Sequence, residues 1–317
     1  MTKVALLYGG TSTEHDVSKL SAKNVRRALE EADLEVLPIF ITKEGEWQLE
    51  GEEARGRALI AKLPELCDVA FPITHGTYGE DGSLQGLLSV LGVPYVGCDV
   101  IASAVCFDKE FTKRILDDNK LPVVEYRAIA KGEAYDYEEL VATLGQTLFV
   151  KPARQGSSVG VSKATTAAEL EKAVQEAFQF DDKILIERAV NGREIEFAVL
   201  EEKGEVTISG PGEIVVDDGF YDYANKYEND NAQLITAAHL TPEQETAAIE
   251  LVSSTFAALS CKGMARVDCF LEDGKWYVNE LNTIPGFTNI SMYPKLLEVS
   301  GIPQSELVRR LVAAAMQ

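Results

Sequence analysis

The residues richest in chemistry are Arg266-Val267-Asp268 and, shortly after, Asn279-Glu280-Leu281-Asn282-Thr283. Both runs fall in strand-like segments, 264–271 and 276–281. Residues two apart on a strand share a face, so Asp268, Glu280 and Asn282 can point the same way from neighbouring strands. Two carboxylates and an amide oxygen form a hard oxygen cluster suited to Mg²⁺, which keeps water and phosphate ligands besides. Any one of these acids alone reads as a solvated strand face. The joint pattern, with Arg266 two residues before Asp268, points to a metal–phosphate site. A second run, Lys151 followed by Gly156-Ser157-Ser158-Val159-Gly160, offers a strand lysine and a glycine turn whose N–H groups can approach phosphate. By itself such a hairpin is a common exposed turn.

The common nucleotide and hydrolase signatures are missing. There is no GxxxxGK[ST], no GxGxxG after the first strand, and no HExxH or SxxK. His15, His75 and His239 lie far apart in sequence.

The elements that must hold these groups read as alternating strands and helices. A strand at 4–8 leads through Gly9-Gly10 to a helix with Val17, Leu20, Ser21, Asn24, Val25 and Ala28 at helical spacing and Asp16 as its N-cap. A strand at 35–42 completes a βαβ unit, which implies a parallel sheet with an accessible edge at the strand ends. Strand 68–74, the loop 75–82, a helix at 83–91 and a strand at 94–96 follow. The next unit opens with a helix at 108–119, then strand 147–153, a turn at 154–158 and a returning strand at 159–163. A helix capped by Thr166 with Glu169 comes next, then strand 183–187. The last third carries strands at 194–200, 206–209 and 212–216, a polar loop at 217–231, a helix at 242–260 and a closing helix at 306–316.

The whole chain bounds what these groups can serve. It has 317 residues, enough for two or three compact units. Its net charge of −21 repels nucleic-acid phosphates and makes any local cluster of cations informative. Five scattered cysteines (Cys67, Cys98, Cys106, Cys261, Cys269) have no CxxC spacing and read as free core thiols in a reducing cytosol. No run is long and apolar enough for a membrane helix, and the first residues do not read as a signal peptide.

Several motifs in order resemble the D-alanine–D-alanine ligase family of the ATP-grasp superfamily. They are Gly9-Gly10-Thr11-Ser12-Thr13-Glu14-His15, His75-Gly76 with Gly79-Glu80-Asp81-Gly82, and Lys151-Pro152 with Gly156 to Gly160. Further along come Tyr221-Asp222-Tyr223 with Lys226-Tyr227, Arg266-Val267-Asp268, and Asn279 to Thr283 with Pro285-Gly286. Together they cover nearly the entire chain. Departures are small and fall between the functional positions, at Thr13-Glu14-His15 and Thr283-Ile284-Pro285.

The resemblance implies an α/β (α+β) ATP-grasp fold: an N-terminal Rossmann-like βαβ domain at 1–98, then two α+β subdomains, 99–185 and 186–317, that clasp ATP. It implies that Lys109 and Lys151 hold ATP phosphates beside Ser157 and Ser158. Glu187 and Glu194 would lie near adenine and ribose, with the Ala189–Val190 hinge backbone and Phe270 completing the nucleotide set. Asp268, Glu280 and Asn282 would bind two magnesium ions, with manganese as a substitute. Glu14 would receive the first substrate's ammonium, with Ser157 and Tyr227 as hydrogen-bonded partners and His75 beside that substrate. Lys226, Ser291 and Met292 would serve the second substrate, and Arg266 and Gly286 the reacting carbonyl.

The implied reaction joins two D-alanines through an acyl phosphate for peptidoglycan synthesis, under a lid at 217–231. Tyr227 and Met292 are of the type that selects D-alanine as the second substrate. The resemblance also implies a cytoplasmic homodimer with small-molecule substrates only, no nucleic acid and no membrane, and leaves potassium activation open. Rival readings are a related carboxylate–amine ligase with other substrates, a nucleotide-binding module without turnover, and a pyridine-nucleotide oxidoreductase.

Overall fold

Three sheets, one after another along the chain, set the frame of the site. The computed structural model describes residues 1–50, 56–216 and 232–317. The expected lid at 217–231, with Lys226 and Tyr227, lies outside the described residues.

The first sheet comprises β1 (Lys3–Gly9), β2 (Glu35–Ile41), β3 (Trp47–Leu49) and β4 (Val69–Pro72), in the order β3-β2-β1-β4. β1 runs parallel to β2 and β4, as the βαβ reading requires, and β3 returns antiparallel on β2. Helices α1 (His15–Glu31), α2 (Gly56–Leu66) and α3 (Ser83–Leu91) accompany it. Two expectations are corrected here. Glu14, not Asp16, occupies the α1 cap position, and Asp16 lies in the first turn, where it pairs with Lys19 and Lys43. The strand expected at 94–96 shrinks to a single bridge, Ala70 to Tyr95, because Pro94 has no N–H and Gly97 turns the chain at φ 104.

Helices α4 (Val100–Phe107) and α5 (Lys109–Asp118) are separated by one residue, Asp108. Asp108 caps α5, accepting from the N–H groups of Glu110 and Phe111. α4 was not anticipated: Val100–Phe107 is apolar nearly throughout and shows no helical stripe.

The central sheet has β5 (Tyr126–Ala130), β6 (Leu148–Pro152), β7 (Ser162–Ala164) and β8 (Lys183–Arg188), ordered β5-β8-β6-β7 and antiparallel throughout. α6 (Tyr137–Leu144) and α7 (Ala167–Ala177) cover one face, packing Leu140, Leu170 and Val174 on Leu148, Val150 and Ile186. β7 begins later than the strand expected from 159. Ser157 and Ser158 sit in the left-handed region (φ 51 and 59), so the chain is still turning where pairing was expected. All six residues of β8 pair in this sheet, between β5 and β6.

The third sheet contains β9 (Arg193–Glu202), β10 (Glu205–Ile208), β11 (Gly212–Val216), β12 (Ala232–Ile235), β13 (Met264–Glu272) and β14 (Lys275–Asn282). Its order is β12-β11-β9-β13-β14, with β10 on β9. α8 (Pro242–Ala258) starts with a capping box, Thr241 with Gln244, and Pro242 in its first turn. α9 (Met292–Val299) and α10 (Gln304–Ala315) close the fold. Their apolar faces join a core with Val4, Leu6, Val25 and Phe71, so the first and third sheets share one hydrophobic cluster. No helix among the described residues is long and apolar enough to cross a membrane.

Candidate active site

The site is assembled from ends and edges of all three sheets. On the third sheet, register puts Asp268 opposite Glu280 on one side and opposite Glu196 on the other. Facing residues in an antiparallel pair share a face, so three carboxylates form one row across β9, β13 and β14. Arg266 lies two residues along β13, opposite Asn282. Its Nε and Nη2 donate to Asp268 Oδ1 and Oδ2, each at 2.7 Å, and its Nε is 3.3 Å from Glu196 Oε2. Burial works against the Arg266 charge, but Asp268, Glu196 and Glu280 more than offset it and hold its pKa well above the usual arginine value. Asn282 Nδ2 donates to Asp268 Oδ2 at 3.0 Å. Glu196 was not singled out in the sequence, though its place two residues after Glu194 was a usable signal.

Lys109 stands at the first turn of α5, pointing back over the glycine loop. Its Nζ donates to Gln155 O at 2.7 Å and lies 3.6 Å from Glu280 Oε2. In this row, among the described residues, Glu196, Asp268 and Glu280 outnumber Arg266 and Lys109. The surplus negative charge and hard oxygen donors fit a divalent cation. Among the described residues no group of three or more His, Cys, Asp or Glu side chains is arranged as a ready-made cage. An ion here would therefore complete its shell with the Asn282 amide, water and phosphate oxygens.

One α-helical turn beyond Lys109, Lys113 points to the other end of the cleft. It is 1% exposed, with Nζ 3.0 Å from Glu187 Oε1 and donating to Val124 O at 3.1 Å. Lys151 Nζ meets Glu187 Oε2 at 2.8 Å. Burial would raise the Glu187 carboxyl, yet Lys113 and Lys151 together hold it below the usual glutamate value. Lys151 is thus placed on the Glu187 side and Lys109 on the Glu280 side. Lys113 was not singled out in the sequence; its spacing of four from Lys109 was the available clue.

A cleft of about 390 Å³ runs between the central and third sheets, lined by Lys151 and Glu187 at one end, Lys109 and Glu280 at the other, and by Ser158, Val190, Glu194 and Phe270. Ala189 does not line it. Its N–H donates to Thr147 O and its carbonyl accepts from Arg188 Nη1.

The cleft opens into a smaller pocket of about 120 Å³ through a shared border at Gly156, Ser157, Ile214 and Glu280. Its walls include Glu14, His75, Arg266, Gly286, Ser291 and Met292. Glu14 does not cap its helix with its side chain. Its carboxylate accepts instead from Ser157 Oγ, joining loops 143 residues apart. Gly76 and Gly156 make this approach feasible, since a Cβ would come within 2.9 and 2.7 Å of Glu14 Oε2.

His75 is buried, with Nδ1 3.0 Å from Ile284 O and Nε2 3.1 Å from Ser21 Oγ. Burial lowers its pKa, but the Glu80 carboxylate prevails, with Glu14 in support, and the net shift is upward. Both ring nitrogens are engaged by protein, tying the first sheet to the loop after β14. Ser291 Oγ accepts from Thr288 N at 3.0 Å, and Met292 is the buried first residue of α9. Gly286 packs so closely that a Cβ would lie 2.8 Å from Ser291 Oγ.

A family model described as D-ala D-ala ligase C-terminus matches residues 115–313, and one described as D-ala D-ala ligase N-terminus matches 3–62 and 52–98. The D-alanine–D-alanine ligase of Caldicellulosiruptor bescii is 42% identical, over 99% of this chain and 95% of its own length. The solved D-alanine–D-alanine ligase of Coxiella burnetii superposes with a TM-score of 0.86 at 36% identity, covering 100% of this chain and 95% of that one. The VanG D-Ala:D-Ser ligase of Enterococcus faecalis gives a TM-score of 0.87 at 32% identity, over 99% of each chain.

Proposed function

The chain belongs to the D-alanine–D-alanine ligase family, and on that premise we propose how its own side chains carry the reaction. It joins two D-alanines into D-alanyl-D-alanine at the expense of ATP, for peptidoglycan synthesis. The larger cleft takes ATP, with the base against Glu187 and Val190, the ribose by Glu194, and the phosphates toward Lys109, Lys151 and the Ser157–Ser158 turn. The observation that carries this reading is the border the two cavities share at Gly156, Ser157 and Glu280. A terminal phosphoryl group there stands next to a carboxylate bound beside Glu14.

The first D-alanine places its ammonium on Glu14 and its carboxylate toward the γ-phosphorus. Attack forms an acyl phosphate and releases ADP, with Lys109 and Arg266 neutralising the moving charge. Asp268, Glu280 and Asn282 would hold two magnesium ions, replaceable by manganese, which when bound would supply positive charge at the phosphoryl oxygens. The second D-alanine, its carboxylate by Lys226 and Ser291, presents a neutral amine to the acyl carbon. Arg266 and the Gly286 N–H steady the tetrahedral oxyanion until the bond to phosphate breaks. Tyr227 and Met292 favour D-alanine over D-lactate as acceptor. The D-serine ligase superposes as closely as the D-alanine ligase does, so overall fold does not choose the acceptor. That choice belongs to pocket side chains.

We place the enzyme in the cytoplasm, where ATP is available, as a homodimer joined through the N-terminal unit. Val90 on α3 of that unit, 87% exposed, and Ile101 on α4 just beyond it, 68% exposed, supply apolar surface for such a contact. A V90E/I101E variant that remains dimeric by light scattering would remove that interface.

The deciding experiment follows phosphate release from ATP with D-alanine, D-serine, D-lactate or L-alanine, in potassium and in sodium. Release with D-alanine and a dipeptide by mass spectrometry is expected. Preference for another acceptor would overturn the acceptor assignment, and no release with any of them would overturn the reaction.

A further inference from the structure

Glu187 needs only one cation for neutrality, and Lys151 already provides it at 2.8 Å. The fold nevertheless buries a second lysine, Lys113, against the other carboxylate oxygen, 1% exposed and 3.0 Å away. Burying an ammonium is expensive, and paired charges in a core can usually be replaced by apolar side chains without loss of stability. Stability therefore gives little reason for the second lysine.

The two lysines differ in access. Lys151 lines the nucleotide cleft and Lys113 does not. Lys113 is held from behind by Val124 O and lies 5.3 Å from the centre of the Tyr126 ring. When nucleotide enters, Lys151 turns part of its charge to the ligand. Lys113 cannot leave, and it keeps Glu187 ionised and fixed. An ionised carboxylate accepts hydrogen bonds only, so it rewards an amino group on the base and repels an oxo group.

We propose that Lys113 is a positioning residue that fixes Glu187 as an ionised acceptor and thereby makes the enzyme select a nucleotide base bearing an exocyclic amine. The inference rests on the reading that Glu187 meets the base.

The test compares ATP with inosine triphosphate, whose base carries an oxo group in place of the amine, at saturating D-alanine and magnesium. Wild type, K113M, K113Q, K113R and E187Q are each assayed for kcat and KM. A hydrogen bond to a charged acceptor corresponds to about tenfold or more in affinity. K113M should raise the KM for ATP by about that factor, leave kcat within about twofold and leave inosine triphosphate nearly unaffected. K113R, which keeps the charge, should retain most of the preference. K113Q keeps a donor for Val124 O and serves the same comparison if K113M does not fold.

Equal losses for both nucleotides in K113M or K113Q, or K113R failing as they do, would show a structural lysine and overturn the proposal. An unchanged preference in E187Q, or none in wild type, would overturn the base reading itself. Collapse in E187Q with the preference intact in K113M would overturn the Lys113 inference alone.

Discussion

The two ends of the nucleotide cleft are both built from charge, in opposite proportions. At the base end two lysines serve one carboxylate, and all three groups are almost completely buried. At the reacting end, among the described residues, the carboxylates of Glu196, Asp268 and Glu280 outnumber the nearby cations Arg266 and Lys109. α5 spans the difference, with Lys109 facing one end and Lys113 the other. The base end is charge-compensated before any ligand arrives. A cation bound at the reacting end would balance the row seen among the described residues, as suits a place where negative charge moves during the reaction.

Four changes would break or sharpen that contrast. The largest is removal of divalent metal. A chelator should abolish phosphate release, while nucleotide still quenches or shifts a fluorescent probe at the base end; turnover persisting in metal-free buffer would refute the reading of the carboxylate row. Next is Arg266→Met, which strips the row of its buried cation. It should cost about 10²–10³-fold in kcat with a small change in ATP KM, and an equal loss in both parameters would place Arg266 in ground-state binding instead.

Smaller is Ser157→Ala, which removes the donor to Glu14 at the border of the two cavities. A hydrogen bond to a charged group is worth about 1.5–3 kcal/mol, so the KM for the first D-alanine should change by about tenfold; an unchanged KM would detach Ser157 from that subsite.

The smallest lies outside the cleft, at His75. Its folded-state pKa is raised above 6.5, chiefly by Glu80 acting against burial. The stabilisation is therefore fully present below pH 6.5 and is lost as pH rises through the raised value. Melting temperature should fall across that window in wild type and fall less in Glu80→Gln. Identical slopes would mean that Glu80 does not set the His75 titration.

Much of the reacting end was legible because strand period puts Glu280 and Asn282 on one face and the short hairpin between β13 and β14 brings Asp268 beside them. Glu196 was not, because its place opposite Asp268 depends on pairing between β9 and β13, which only the assembled sheet fixes. Lys113 escaped notice for a related reason. A lysine on a helix normally reads as solvated, and only the tertiary structure sets it against Glu187, Val124 and Tyr126. Asp16 was misplaced as a cap because acids are favoured both at the cap and in the first turn, and sequence does not separate the two. α9 is hidden in the sequence by Pro294, which reads as a breaker but sits in the first turn, where a helix tolerates proline.

The sequence by itself determined the first βαβ unit, the oxygen-rich strand pair, the glycine turn after Lys151 and the family to which they belong. These are local properties, set by residue period, turn chemistry and motif. Only the tertiary structure decided which charges meet. It brought Glu14 to Ser157 across 143 residues, Lys113 to Glu187, and Glu196 to Arg266. Electrostatic energy depends on distance and burial, and neither is written in the spacing of residues along a chain.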